Sequence, residues 1–335
     1  MRTLLRKISP ALHLTRVTIA FAAVANSWFV VLWTRASGVE HEPGFAVLRQ
    51  SPLWALLLGG AANAVGLYAF ATALNDVMDH RRDQKLRPGR PIPSGTLSLE
   101  RAINVVAVSL CVAVLGATVM GIPAVVLTLA LAGAALVFNG AGKYVPAIGM
   151  ILLGLLYAGQ MAVPNLNLRF VWPVWLVMTH ALAVEGLRHA LGGKAPAISR
   201  RAVVFTCAGW VFWSGVIVLV GCWRNREDGG AWWSGVWPAW VSWRAAAGPA
   251  AMAGVFVAWT AWKAGALGRG PRVGDKILRY GALWPSLYGC GWLYGQGHST
   301  EAVALGVLAV AGVLGMTVMK EVFALIEQPL EYRRS

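Results

Sequence analysis

Three of the chain's five aspartates, Asp76, Asp79 and Asp83, fall within one short stretch, and Asn75 stands immediately before them. On a continuous helix Asn75, Asp79 and Asp83 recur at four-residue intervals and Asp76 lies three before Asp79, so four oxygen-bearing side chains gather on one side. Like charges at that spacing repel, and a helix gains nothing from them unless a cation neutralises the group. Hard oxygen donors suit magnesium, which takes one or two carboxylates and completes its octahedron with phosphate oxygens and water. The segment that follows, Lys85-Leu-Arg-Pro-Gly-Arg-Pro-Ile-Pro-Ser-Gly95, mixes cations with rigid turn residues. Proline fixes its own backbone and restrains the residue before it, so Arg87 and Arg90 are expected at set positions. Arginine forks match phosphate oxygens in pairs. A carboxylate helix facing preset cations is what a magnesium diphosphate requires. The plain alternative is a solvated helix end whose acids pair with Arg81, Arg82 and Lys85.

The elements that must position these groups are membrane spans. Of 335 residues 57% are hydrophobic and 13% charged, against roughly 25% charged in a soluble protein. Apolar stretches of about 18 residues or more, each enough to cross hydrocarbon as a helix, recur along the chain. They lie near 14–34, 53–74, 101–119, 122–139, 146–163, 172–190, 202–222, 248–267, 278–295 and 302–326. The expected fold is therefore all-α, a polytopic bundle of nine or ten transmembrane helices.

A net charge of +15 raises nucleic acid as a partner, but the cations come in short clusters between apolar spans, which excludes it. The positive-inside rule accounts for them. With a cytoplasmic N-terminus, the 29 lysines and arginines all fall on the cytoplasmic side except Arg35, Arg49, Arg169, Arg224, Arg226 and Arg244. Ten spans keep both termini inside, whereas nine would move the C-terminal arginines out. Cys111, Cys207, Cys222 and Cys290 are scattered and read as small apolar residues. Trp223, Trp232, Trp233, Trp237, Trp240 and Trp243 sit in the longest outer loop and read as an interfacial belt.

The residues at the acid cluster carry a family resemblance. Asn75-Asp-Val-Met-Asp-His-Arg-Arg-Asp83 has the form NDxxDxxxD, and Arg90-Pro-Ile-Pro-Ser-Gly95 follows at the spacing found in the UbiA superfamily of intramembrane prenyltransferases. The chain resembles that family more loosely from about residue 10 to 325, through Arg16, Phe138-Asn139 and Lys143. The resemblance implies one domain over 1–335, a bundle around a lipid-accessible cavity, and a second acidic motif after the sixth span. Here that second region reads Glu185-Gly-Leu-Arg-His189. Glu185, Gly186 and Arg188 fit the pattern, but Leu187 stands where an aspartate is expected and Ala183 replaces another acid. Tyr157 and Gln160 stand where an arginine and an asparagine are often found. His180 and His189 read more readily as hydrogen-bonded structural residues, while an ionisable group within the membrane keeps a functional role open and His189 could add positive charge beside Lys143, Arg188 and Lys194.

The implied activity is a magnesium-dependent transfer from a polyprenyl diphosphate to a lipophilic acceptor, in the inner (plasma) membrane with the site facing the cytoplasm. Asn75, Asp76, Asp79, Asp83 and Glu185 are the expected metal ligands. Arg87, Arg90, Lys143, Arg188 and Lys194 are the expected diphosphate partners, and Asp76, Asp79, Asp83, Lys143 and Arg188 the catalytic set. The altered second motif keeps a rival open, a non-catalytic prenyl-lipid carrier or partner subunit. Cyclisation or hydrolysis of the same diphosphate is a third reading.

Overall fold

In hydrocarbon every backbone N–H and C=O must find its partner inside the protein, and a helix satisfies them within its own segment. The computed structural model describes residues 14–15, 20–193, 197–226, 233 and 235–327, without the side chains of 22, 319, 320 and 322–327. Arg16, Lys194 and Trp232, with the terminal cations Arg2, Arg6, Lys7, Arg333 and Arg334, lie outside the described residues. The helices are α1 (Phe21–His41), α2 (Phe45–Arg49), α3 (Leu53–Met78), α4 (His80–Leu86), α5 (Leu99–Thr118), α6 (Ile122–Gly140) and α7 (Pro146–Ala162). They continue as α8 (Trp172–Gly192), α9 (Arg200–Arg224), α10 (Ala247–Leu267), α11 (Pro271–Gly281), α12 (Trp284–Gln296) and α13 (Ser299–Glu327).

Among the described residues six helical stretches are long and apolar enough to cross a membrane: Leu53–Met78, Leu99–Thr118, Ile122–Gly140, Arg200–Arg224, Trp243–Leu267 and Ser299–Val318. Their outer faces are apolar, as at Val204, Phe205 and Phe212 of α9, which is the surface an integral membrane protein presents to lipid. The other spans expected from the sequence fall outside that set for physical reasons. The expected span 278–295 is two pieces. α11 ends at Gly281 and α12 starts at Trp284 with Pro285 in its first turn, where proline's missing N–H costs nothing. At 13 residues α12 is about 20 Å long, short of a hydrocarbon core of about 30 Å. α7 has 17 residues, and α8 carries Glu185 and Arg188 in its last turns.

Small residues set the most extensive helix contact, between α3 and α5. A Cβ on Gly116 would sit 2.4 Å from the backbone nitrogen of Asn63, so only glycine permits the approach. The buried Asn63 then ties three helices, its Nδ2 donating to Ala113 O at 2.9 Å and Thr128 Oγ1 at 2.8 Å. α1 joins the two halves of the bundle, touching α3 and α7 on one side and α12 and α13 on the other.

At the end away from the acid cluster the rings condense. Trp33 stacks on Phe170 with centroids 4.8 Å apart, Trp292 meets Phe170 edge-on at 5.0 Å, and Trp240 lies flat on His41 at 4.8 Å. The expected tryptophan belt is thereby corrected in part. Trp223, Trp233 and Trp243 are exposed, but Trp237 and Trp240 turn inward onto the core. Their segment folds back far enough for Trp237 Nε1 to donate to Val241 O and Trp172 Nε1 to Val236 O, giving two half-buried indoles the partners they need. Beside this stack Glu42, fully buried just after α1, accepts the backbone N–H groups of Arg169 at 3.0 Å and Phe170 at 3.2 Å.

Candidate functional site

The helix expected to run through Asn75–Asp83 breaks in the middle of the motif. Asp79 has φ −85° and ψ 0° and separates α3 from α4. Backbone bonds still cross the bend, from Asp79 N to Asn75 O at 2.9 Å and from Asp83 N to Asp79 O at 2.8 Å. Asp76 and Asp83 are both buried. Each meets the same guanidinium nitrogen, Arg90 Nη1, at 2.9 Å and 2.5 Å. Lys143, from the turn between α6 and α7, reaches Asn75 Oδ1 at 3.0 Å and Asp79 Oδ2 at 2.9 Å.

These partners are not the ones expected of a solvated helix end. A solvated helix end would pair with its own neighbours, yet Arg81, Arg82 and Lys85 are exposed, and the ion pairs found come from Arg90 and Lys143. The proline-rich segment delivers Arg90 through a chain of turns: Arg87 N to Asp83 O, Arg90 N to Arg87 O, and Ser94 N to Arg90 O. Arg87 points outward and is exposed. Tyr144, missed in the sequence, donates its hydroxyl to Asp79 Oδ1 at 3.1 Å. Desolvation, and then the Asp79 carboxylate, raise the phenol above its ordinary value, so it keeps the proton it donates. Its place next to Lys143 was the only signal available. Asn139 ties α6 to the same stretch of α3, Nδ2 donating to Ala71 O at 3.1 Å.

The second region is built differently. Glu185 is buried, with Arg188 Nη1 and His189 Nδ1 each 3.4 Å from its carboxylate. Leu187 turns into an apolar cluster with Val184, Phe256, Val273 and Ile277, closed by α11. α8 and α11 cross so closely that a Cβ on Gly192 would lie 3.1 Å from the Cα of Gly274. His180 is tied off structurally, with Gly281 O at 2.8 Å and the Tyr288 hydroxyl at 3.1 Å. Tyr157 lies within electrostatic range of Tyr68 on α3 and of Glu185 on α8, and Gln160 Nε2 donates to Ala23 O of α1. The cavity that Tyr157, His180 and Glu185 share is about 40 Å³, room for water rather than a lipid chain.

An aspartate restored at 187 would enter that apolar cluster. Leu187→Asp is expected to cost at least about 1–3 kcal/mol and to lower the melting temperature of the purified protein, with no gain in any magnesium-dependent activity. A gain without loss of stability would show that the position faces the site after all.

The donors suit magnesium in kind: Asn75, Asp76, Asp79 and Asp83 offer only hard oxygens. Among the described residues no three acidic, histidine or cysteine side chains stand close enough to hold an ion by themselves. Among the described residues Glu185 pairs with Arg188 and His189. The set therefore fits a metal that brings phosphate and water ligands of its own, as magnesium does.

No protein-family profile and no curated protein matches this chain. Among solved structures it aligns with digeranylgeranylglyceryl phosphate synthase over 87% of this chain and 98% of that one, at 15% identity and a TM-score of 0.50. A ligand-free UbiA homolog from Aeropyrum pernix K1 aligns over 89% and 96%, at 16% identity and a TM-score of 0.44. A UbiA homolog from Archaeoglobus fulgidus bound to GPP and Mg2+ aligns over 95% and 100%, at 13% identity and a TM-score of 0.42. The likeness is one of fold: a UbiA-like helical membrane protein, similar over most of its length at low sequence identity.

Proposed function

We propose that the chain is a prenyltransferase that binds a polyprenyl diphosphate with magnesium at the acid cluster and passes the prenyl group to a lipophilic acceptor. The observation that carries this reading is the convergence on α3 and α4 of two cations from separate segments, Arg90 and Lys143. Buried carboxylates paired with cations from separate segments form a site that can exchange partners: Arg90 and Lys143 would turn from carboxylate to phosphate oxygens when a diphosphate arrives. The UbiA-like fold, shared with digeranylgeranylglyceryl phosphate synthase, supports a lipid substrate.

Asn75, Asp76, Asp79 and Asp83 would hold magnesium, which would supply Lewis-acid stabilisation of the leaving diphosphate. Arg90 and Lys143, joined by Arg87, Arg188 and Lys194, neutralise the charge that grows on the diphosphate oxygens as the allylic carbon–oxygen bond breaks. The bonding pair leaves with the diphosphate. The acceptor then attacks the allylic cation and gives up its proton, while the apolar walls of the bundle keep water from the cation.

A second reading has its own observation. Leu187 is packed among apolar side chains, so the second region offers a single acid, which favours a carrier that holds a prenyl diphosphate without cleaving it. Magnesium-dependent release of pyrophosphate from geranylgeranyl diphosphate, with purified protein in lipid, separates the two. Release that disappears in both Asp76→Ala and Asp79→Ala supports the enzyme, and release that rises with added membrane extract supports transfer to an acceptor. Magnesium-dependent binding without release at any donor length would sink it in favour of the carrier.

A further inference from the structure

A second polar site lies outside the acid cluster. α11 is strongly amphipathic: Val273, Gly274 and Ile277 are buried while Arg272, Lys276 and Arg279 are exposed. Between this helix and the neighbouring ends of α10 and α12 is a cavity of about 220 Å³, lined by Trp259, Lys263, Lys276, Tyr280, Leu283 and Trp284. Among the described residues neither lysine forms an ion pair with a carboxylate. Lys263 Nζ instead lies 3.9 Å from the centre of the Trp262 ring. Two cations without counter-ions, set in an aromatic wall where two apolar helices end, make a receptor for an anion attached to an apolar body.

We infer that this cavity binds the phosphate headgroup of an anionic membrane phospholipid, with Lys263 and Lys276 on the phosphate. The volume is below the roughly 300 Å³ of a pocket that encloses a whole drug-sized ligand, so a headgroup enters and its chains stay outside. The exposed apolar residues Val255, Val257 and Trp262 of α10 give those chains a surface to lie on. Basic pockets between membrane helices recognise lipid headgroups through this chemistry. Arg272 and Arg279, on the same exposed face of α11, add attraction toward an anionic leaflet.

Native mass spectrometry of the purified protein titrated with phosphatidylglycerol or phosphatidylcholine tests the assignment. Phosphatidylglycerol is expected to remain bound, and the Lys263→Ala/Lys276→Ala double variant to lose affinity roughly 30-fold, at about a fivefold loss for each lysine. The Lys263→Arg/Lys276→Arg variant should keep the lipid, which separates lost charge from lost folding. Equal retention of phosphatidylcholine would overturn the assignment, as would unchanged binding in the alanine variant. Displacement by millimolar inorganic phosphate would overturn the lipid source in favour of a free anion.

Discussion

Replacing Arg90 with methionine is expected to leave a protein that needs magnesium merely to stay folded at its acid end. Arg90 presents one nitrogen to two buried carboxylates, and its side chain is 20% exposed against 8% for Asp76 and 7% for Asp83. Arg90→Met keeps the length of the side chain and removes its charge, stranding both acids. Removing one partner of a buried ion pair costs about 3–5 kcal/mol. The melting temperature should therefore drop well below that of the wild type in chelator, and magnesium should restore part of it by replacing the lost cation. The wild type should respond little to magnesium alone, because Arg90 already fills the place. Pyrophosphate release should fall about 100-fold, as when a preorganised donor to a developing anion is removed. Melting curves with chelator and with magnesium decide the matter. A variant as stable as the wild type and indifferent to the metal would show that the acids do not form a cation site.

The second large effect lies at the other end of the bundle and runs with pH. Burial pushes the Glu42 carboxyl up from the ordinary 4.5 to about 7, although the N–H groups of Arg169 and Phe170 and the Arg169 charge pull it down. An acid whose value is raised on folding takes up a proton as the chain folds. Its contribution is full below about 4.5 and is lost as pH rises through about 7. At about 1.4 kcal/mol per unit, the span amounts to about 3 kcal/mol. The melting temperature should thus decline between pH 5 and pH 8, and Glu42→Gln, which cannot ionise, should flatten the decline. The difference between the two pH profiles isolates this residue from the other acids. A wild-type profile that rises over the range would refute the account.

The acid cluster was legible because its chemistry is concentrated in one short run, and Arg90 because proline and glycine fix the turns that deliver it. Lys143 was reached through the family resemblance, since a turn from another helix leaves no local trace beside Asp79. Tyr144 left less still: a tyrosine at a helix end has many uses, and only the folded chain shows its hydroxyl on Asp79. The bend at Asp79 was hidden as well, because nothing in Val-Met-Asp-His forbids a continuous helix. Glu42 went unnoticed for a different reason. His-Glu-Pro after an apolar span looks like a solvated loop, and its burial depends on backbone N–H groups more than a hundred residues away. The division of the expected span 278–295 was hidden too, because hydropathy sees apolar length but not that one helix ends at Gly281 and the next begins at Trp284 with Pro285 in its first turn.

The two ends of the bundle are fastened by different forces. Stacked indole and phenyl rings close one end, and ring contacts of this kind do not weaken as ions are added to the solvent. Charge pairs whose acids are largely buried and whose cations reach the surface close the other, and salt screens such pairs in part. Ionic strength therefore acts on the molecule from one side only: concentrated salt loosens the mouth that holds the acids and leaves the aromatic floor in place.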